Sequence, residues 1–239
     1  IIRSFDRSDY KAGLQSWQIE QAPNEMLYFA NNSGLMEFDG YQWNVYHVEG
    51  WTNILSLHAA DNGRVYVGCT DNFGYFAPDA KAGMRFHSLL HLLPEAKRDF
   101  KEIWRIHPTE KGLVFQSVKQ LIRLPNDTTA QVFESPVNFD FSFYNRKKLY
   151  LFDEKRGFLT FSNGVYKEVP GADGLKGKEI SAIEPLGKGL LIATQNHGMF
   201  VYADSVLRAW DKPINRFLRE NQVYSMVRVD DQHIAFGTI

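Results

Sequence analysis

The chain has 239 residues, 44% hydrophobic and 23% charged, an ordinary globular composition long enough for one large or two small domains. Its 27 basic and 28 acidic residues are interspersed and leave a formal net charge of -1, which excludes the basic stripe of a nucleic-acid footprint and an acidic tail. A single cysteine, Cys69, excludes a disulfide framework and a CxxC metal clip, and no apolar run reaches the roughly 18 residues of a membrane span.

Aromatic content is high at 14%, with 18 Phe, 11 Tyr and 5 Trp, residues that favour strands because flat rings pack well on a pleated surface. One phrase recurs along the chain: an apolar strand, a polar turn, a second strand, a short polar link, Gly-apolar-x-apolar, a turn and a last strand. The first copy runs from Trp17-Gln18-Ile19 through Leu27 to Ala30 and Gly34 to Asp39, and closes at Trp43 to Tyr46. The second has Ile54 to Leu57, Val65 to Gly68, Gly74 to Phe76 and Met84 to Phe86. The third has Ile103 to Ile106, Leu113 to Phe115, Gln120 to Leu124 and Gln131 to Phe133. The fourth has Phe139 to Phe143, Leu149 to Phe152, Gly157 to Phe161 and Val165 to Val169. The fifth has Ile180 to Ile183, Leu190 to Thr194, Gly198 to Tyr202 and Val206 to Trp210. A sixth begins at Val223 and reaches Ile234 to Gly237.

Second strands begin at Leu27, Val65, Leu113, Leu149, Leu190 and Ile234, in steps of 38, 48, 36, 41 and 44 residues. A four-stranded repeat of about 40–45 residues is the size of one propeller blade. The expected fold is therefore an all-β β-propeller, with blades at about 15–47, 52–88, 102–134, 139–170, 179–211 and an incomplete 222–239. A β-sandwich with regular strand spacing is the competing fold, but it does not need the same order of glycine and aromatic marks in every copy. Gly34, Gly74, Gly157 and Gly198 share one position, where a tight approach to the third strand suits a residue that adopts positive φ at little cost. Gln120 breaks that column in the third copy. Asp61-Asn62-Gly63, Asn145-Arg146-Lys147, Asn163-Gly164 and Gly187-Lys188-Gly189 supply hairpin turns. Residues 88–100 and 212–221 interrupt the pattern and read as short helices or helical turns.

The run Tyr28 to Gly40 (YFANNSGLMEFDG), with Tyr10 to Trp17 before it and Gly63 to Gly68 after it, resembles the two-component-regulator propeller repeat. That resemblance covers nearly the whole chain and is strongest in the first two copies. It departs at Gln120 and at Asp153-Glu154, where a small residue and Thr are usual. It implies the extracytoplasmic, periplasmic sensor part of a bacterial regulator. In such proteins the propeller is followed by a Tyr-rich β-sandwich, a membrane span and an output module, either a histidine kinase with a response regulator or a helix-turn-helix domain. It also implies a ligand derived from complex carbohydrate, a possible homodimer through the full-length protein, and a ring of seven or more blades. The chain supplies about five and a half, begins at Ile1 and ends in a strand at Gly237-Thr238-Ile239, so the natural protein is expected to continue.

No GxSxG, HExxH, phosphate-binding loop or dinucleotide fingerprint is present, so no catalytic residue, metal or cofactor is expected. His87 and His91 would stand one helical turn apart, without a third ligand nearby. Asp230-Asp231 reads as a turn, since adjacent acids on a strand point to opposite faces.

The blade geometry points instead to a binding surface. Links between second and third strands lie at the same end as the links into first strands, and would line one mouth of the channel. They contribute Asn31, Asn32, Asp71, Asn72, Lys119, Glu154, Arg156, Asn196 and His197, and from the leading links Trp51, Asn53, Glu102, Glu179 and Gln222. Amides bond hydroxyls and an aromatic face stacks on a sugar ring, so the set suits an oligosaccharide or other small polar ligand. Trp51 is the leading candidate, because it follows a Glu-Gly turn and precedes a strand. Asx-turns are the structural alternative for each Asn and Asp. Trp17, Trp43 and Trp104 fall within strands and read as packing residues. Three functions remain: a periplasmic sensor, a propeller glycosidase or lyase with acids converging across blades, and a protein-interaction platform.

Overall fold

The computed structural model describes residues 3–50, 52–81, 83–135, 138–153 and 155–239. The chain divides into two units, Ile1–Ser135 and Pro136–Ile239.

Unit one opens with a single helical turn, α1 (Arg7–Tyr10), and continues as three four-stranded antiparallel sheets. The first is β1 (Ser16–Gln21), β2 (Leu27–Asn31), β3 (Gly34–Phe38) and β4 (Trp43–Tyr46). The second is β5 (Ile54–Ala59), β6 (Val65–Cys69), β7 (Phe73–Asp79) and β8 (Gly83–Ser88). The third is β9 (Ile103–Thr109), β10 (Gly112–Ser117), β11 (Gln120–Asn126) and β12 (Thr129–Glu134). Unit two has β13 (Ser142–Asn145), β14 (Lys148–Asp153), β15 (Gly157–Ser162) and β16 (Val165–Glu168), then β17 (Ile180–Leu186), β18 (Gly189–Thr194), β19 (Gly198–Ala203) and β20 (Val206–Ala209). It ends with α2 (Ile214–Glu220) and a two-stranded sheet of β21 (Val223–Arg228) and β22 (Ile234–Thr238). Each four-stranded sheet keeps sequence order, the meander of a β-propeller blade.

The cores lie between successive blades. Tyr28, Leu35, Ile54, Leu57, Val67 and Phe76 close one layer, and Tyr66, Phe73, Phe100, Ile103, Phe115 and Ile122 the next. In unit two, Phe152, Phe158, Leu175, Ile180 and Ile192 form one layer and Leu191, Met199, Leu218, Val223 and Met226 another. A middle strand therefore packs on both faces. β3, β6 and β18 are buried along their whole length, so β6 and β18 read as near-continuous apolar runs rather than alternating ones, while β3 carries the buried Glu37, which accepts from Asn44 and Tyr46.

The interrupting segments serve this packing. Residues 88–100 contain two 3₁₀ turns, Leu90–Leu92 and Glu95–Lys97, and plug Leu89, Leu93 and Phe100 into the second layer. The two histidines do not share a helix: His87 is in β8, stacked on Tyr75 at 5.1 Å, and His91 is in the first 3₁₀ turn. Helix α2 is fixed by Asn215, whose amide donates to the carbonyls of Met199 (3.1 Å) and Trp210 (2.8 Å) and accepts from the Met199 N–H (2.7 Å). Asp230 closes the β21–β22 turn by accepting from the N–H groups of Gln232 and His233, both at 2.8 Å. Trp43 is a packing residue, stacked on Phe38 at 4.4 Å and surrounded by Phe5, Tyr10 and Phe29.

Hairpin turns take positive φ at paired positions: Asn163-Gly164 (50° and 83°), Asp204-Ser205 (50° and 58°) and Arg146-Lys147 (49° and 61°). Primed turns match the strand twist. The β13–β14 turn falls at the expected Asn145-Arg146-Lys147, with Arg146 and Lys147 as its left-handed residues.

Candidate functional site

The first strand of a blade carries a local irregularity near its start. In β1, Ser16 faces Asn31 and Gln18 faces Ala30, leaving Trp17 as the extra residue of a bulge. In β5, Ile54 faces Cys69 and Ser56 faces Gly68, leaving Leu55. In β9, Ile103 faces Ser117 and Arg105 faces Gln116, leaving Trp104. Unit two repeats the slip at Ser181 in β17 and Tyr224 in β21, whereas β13 pairs regularly with β14. A bulge re-aims a side chain, and bulges concentrate at barrel rims and beside active sites.

In unit one this places two tryptophans together. Trp17 and Trp104 meet edge to face, with centroids 5.5 Å apart and planes at 80°. The Trp17 indole N–H donates to Oδ1 of Asn32 at 2.7 Å, so the link after β2 holds the ring. Trp17 is 41% exposed, in a strand that is exposed or half-buried along its whole length.

The strands beneath are locked laterally. Gln18 on β1 donates from Nε2 to the Leu57 carbonyl at 2.9 Å and accepts the Leu57 N–H at 3.2 Å, so its amide acts as an extra peptide unit against β5. Glu20 accepts the Ala59 N–H at 3.2 Å and meets Nδ1 of His58 at 3.0 Å. Ser56 on β5 donates to the Ile103 carbonyl of β9 at 2.8 Å. Next to Trp104, the Arg105 guanidinium donates to the Trp104 carbonyl at 2.9 Å. Burial pushes the Arg105 group down to about 10, which leaves it cationic at neutral pH.

The described sequence-predicted residues of unit one fall at this same end of the blades. Thr70 and Asp71 tie the links together: the Thr70 N–H reaches the Asn53 carbonyl at 3.4 Å, Thr70 bridges to Glu102, and the Asp71 N–H donates to the Lys101 carbonyl at 2.6 Å. The side chains of Asn32, Asn53, Asp71 and Lys119 are exposed there. Asn31 is fully buried. It accepts from Gly13 N–H (3.1 Å) and Ser33 N–H (2.9 Å) and donates to the Gly13 carbonyl (2.8 Å) and Ser16 Oγ (3.1 Å). Asn72 also works within the fold, its Oδ1 accepting from Phe73 N–H at 2.9 Å and Ser88 Oγ at 2.8 Å. Trp51 and Glu154 lie outside the described residues.

In unit two, Arg156 sits in a recess with Phe158, Glu168 and Lys176, its Nε 4.0 Å from the Glu168 carboxylate. Asn196 and His197 are exposed on the turn between β18 and β19, where Thr194 Oγ1 accepts the His197 N–H at 3.2 Å. Glu179 and Gln222 contribute backbone carbonyls, to Gln195 N–H at 2.9 Å and Ile239 N–H at 3.3 Å.

Trp17 and Trp104 read in the sequence as packing residues and Gln120 as a break in the glycine column, yet all three stand at this end of the blades. Gln120 opens β11 next to Lys119, is 7% exposed, and its side-chain oxygen has no partner among the described residues. The missed signal was spacing. Ile54/Leu57, Ile103/Ile106, Ile180/Ile183 and Val223/Met226 are apolar pairs three apart within strands, where a regular strand would put them on opposite faces. The bulge between each pair restores a common face and presents Leu55, Trp104, Ser181 and Tyr224.

Among the described residues no helix is long and apolar enough to cross a membrane, and no group of three or more His, Cys, Asp or Glu could hold a metal ion. No family model matches the sequence, and no curated protein matches it. Solved structures do share the fold. The extracellular domain described as that of the hybrid two-component system BT4673 from B. thetaiotaomicron is 15% identical at a TM-score of 0.71, over 95% of this chain and 31% of that one. A catalytically inactive virginiamycin B lyase from Staphylococcus aureus, with quinupristin, is 11% identical at a TM-score of 0.72, over 95% of this chain and 78% of that one. PorZ, a surface component of the type-IX secretion system of Porphyromonas gingivalis, is 11% identical at a TM-score of 0.66, over 95% of this chain and 37% of that one. The chain spans less than a third of the two-component domain it matches. It is thus similar in fold both to the extracellular domain of a two-component system and to a lyase.

Proposed function

We propose that this chain is a ligand-binding part of the periplasmic sensor of a bacterial signal-transduction regulator. It takes a carbohydrate-derived ligand at the bulged end of unit one and controls transcription through a separate output module. The observation that carries this reading is the Trp17–Trp104 pair, held by Asn32 and partly open to solvent. An exposed indole on a rigid strand is an apolar platform of fixed orientation, suited to the C–H face of a sugar ring. The surrounding exposed groups of Asn32, Asn53, Asp71 and Lys119 offer donors and acceptors for hydroxyls. The fold likeness to a two-component extracellular domain supports the sensing role and the location. In such a sensor the ligand acts by preferring one state of the full-length protein, as a dimer or through its domain geometry.

The likeness to virginiamycin B lyase favours a second reading, a propeller lyase. One experiment separates the two. The chain is screened by thermal shift against neutral gluco-, xylo- and manno-oligosaccharides and uronate-containing oligosaccharides, with product analysis of each mixture. A native-state ligand at 100 times its Kd adds about 2.7 kcal/mol. That corresponds to a rise in Tm of roughly 5–10 °C for a chain of this size. A rise with the glycan intact is the expected result. Glycan cleavage would replace the sensor reading with the enzyme, and no rise with any member would overturn the carbohydrate assignment.

A further inference from the structure

Unit two contains a recess away from the links discussed above, walled by Arg146, Lys148, Tyr150, Lys188, Tyr202 and Asp204. Its volume is about 260 Å³, close to the lower end of ligand clefts (~300 Å³). It sits where the β13–β14, β17–β18 and β19–β20 hairpins turn, the opposite end of those blades from the β14–β15 and β18–β19 links.

The charge in it is unbalanced. Arg146, left-handed at φ 49°, reaches across to the neighbouring hairpin and donates to the carbonyls of Lys188 (3.1 Å) and Gly187. Carbonyls satisfy its N–H groups without cancelling its charge. Among the described residues neither Arg146, Lys148 nor Lys188 forms an ion pair, and Asp204 is the one acid of the wall. Tyr150 is held rigid, its ring buried and stacked on Phe158 at 5.0 Å with planes 9° apart. Tyr202 is likewise fixed by donating to the Pro170 carbonyl at 2.8 Å. A pre-positioned guanidinium, two ammonium groups and a fixed phenol are the donor set that recognises a compact anion with several oxygens.

We propose that this recess is a second binding site, for a compact oxyanion (sulfate, phosphate or carboxylate), free or carried on a small acidic sugar. It does not depend on the assignment of unit one. Sulfate and phosphate also stabilise proteins generally by exclusion from the surface, so melting temperature alone would mislead. The test is a two-dimensional NMR titration of the isotope-labelled chain with sodium sulfate, sodium phosphate and sodium glucuronate, each against sodium chloride at matched ionic strength. Saturable shifts at Tyr150, Gly189 and Tyr202, absent with chloride, are expected. Saturation by all three anions identifies the oxyanion itself as the ligand, and saturation by glucuronate alone identifies the acidic sugar. The double variant Lys148→Met/Lys188→Met should bind at least tenfold more weakly and Asp204→Asn more tightly, while Lys155→Met, elsewhere on unit two, should match the parent. Shifts that fail to saturate, equal those with chloride or survive in the double variant would overturn the proposal.

Discussion

Gly74→Ala is expected to destabilise the protein by about 3 kcal/mol, lowering Tm by roughly 6–12 °C. Gly74 does not have positive φ, so its backbone would accept alanine. The obstacle is space: a Cβ there would fall far inside van der Waals contact with the His87 carbonyl oxygen and lie 3.0 Å from the Phe86 ring. His87 is backbone of β8, paired with Tyr75 beside Gly74, so relief requires prising two strands of the blade apart. Gly63→Ala is the matched control. Gly63 has φ 79° and nothing within 4 Å of a Cβ, so only the left-handed backbone penalty applies, about 1 kcal/mol. Urea denaturation of both variants decides the matter. Equal losses would show that close approach is not what selects glycine at position 74.

Asn31→Ala is expected to cost a similar amount, about 3 kcal/mol, because it strands buried polar groups rather than removing surface. The fully buried amide bonds both backbone groups of Gly13 and ties the segment before β1 to the β2–β3 link. Asn31→Asp gives a signed pH test. The ionised carboxylate keeps the two acceptor roles but cannot donate to the Gly13 carbonyl or Ser16 Oγ, so its folded pKa should be raised above the unfolded value. The penalty of that variant is therefore full above the raised pKa and shrinks as pH falls through it. A penalty that does not change with pH would contradict the hydrogen-bond assignment. Either variant should weaken ligand binding only in proportion to its loss of folded protein.

The blades were legible in the sequence because their middle strands are buried on both faces and their turns carry Gly, Asn and Asp at a regular interval. The shared glycine column was legible too, but its cause was only partly so. Gly34, Gly157 and Gly198 do have positive φ, whereas Gly74 does not; a Cβ at any of the four would clash, with Tyr46, His87, Lys176 or Asn215. In the third blade the position is Gln120, which does not have positive φ and whose N–H donates to Ser117 Oγ at 2.9 Å. The candidate site was less legible. Asn31 and Asn32 are neighbours of identical chemistry, and only the fold turns one inward as a bracket and leaves the other to hold Trp17. Trp17 and Trp104 looked like packing residues because a regular strand would bury them. The bulge at Trp104 is written in the three-residue spacing of Ile103 and Ile106, which a two-residue strand period does not accommodate, whereas the bulge at Trp17 follows Ser16 and has no such apolar pair to mark it.

Carbohydrate binding by the Trp17–Trp104 platform is measured by calorimetric titration of Trp17→Ala. The probe is whichever oligosaccharide of the panel most stabilises the parent, and Tyr41→Ala, at an 83% exposed position of the same unit, is the control. Trp17→Ala is expected to fold with a loss of about 1 kcal/mol. It should bind at least tenfold more weakly, a loss of about 1.4 kcal/mol, with Tyr41→Ala unchanged. Undiminished affinity in Trp17→Ala would rule out the platform and move the ligand site off the bulged strands.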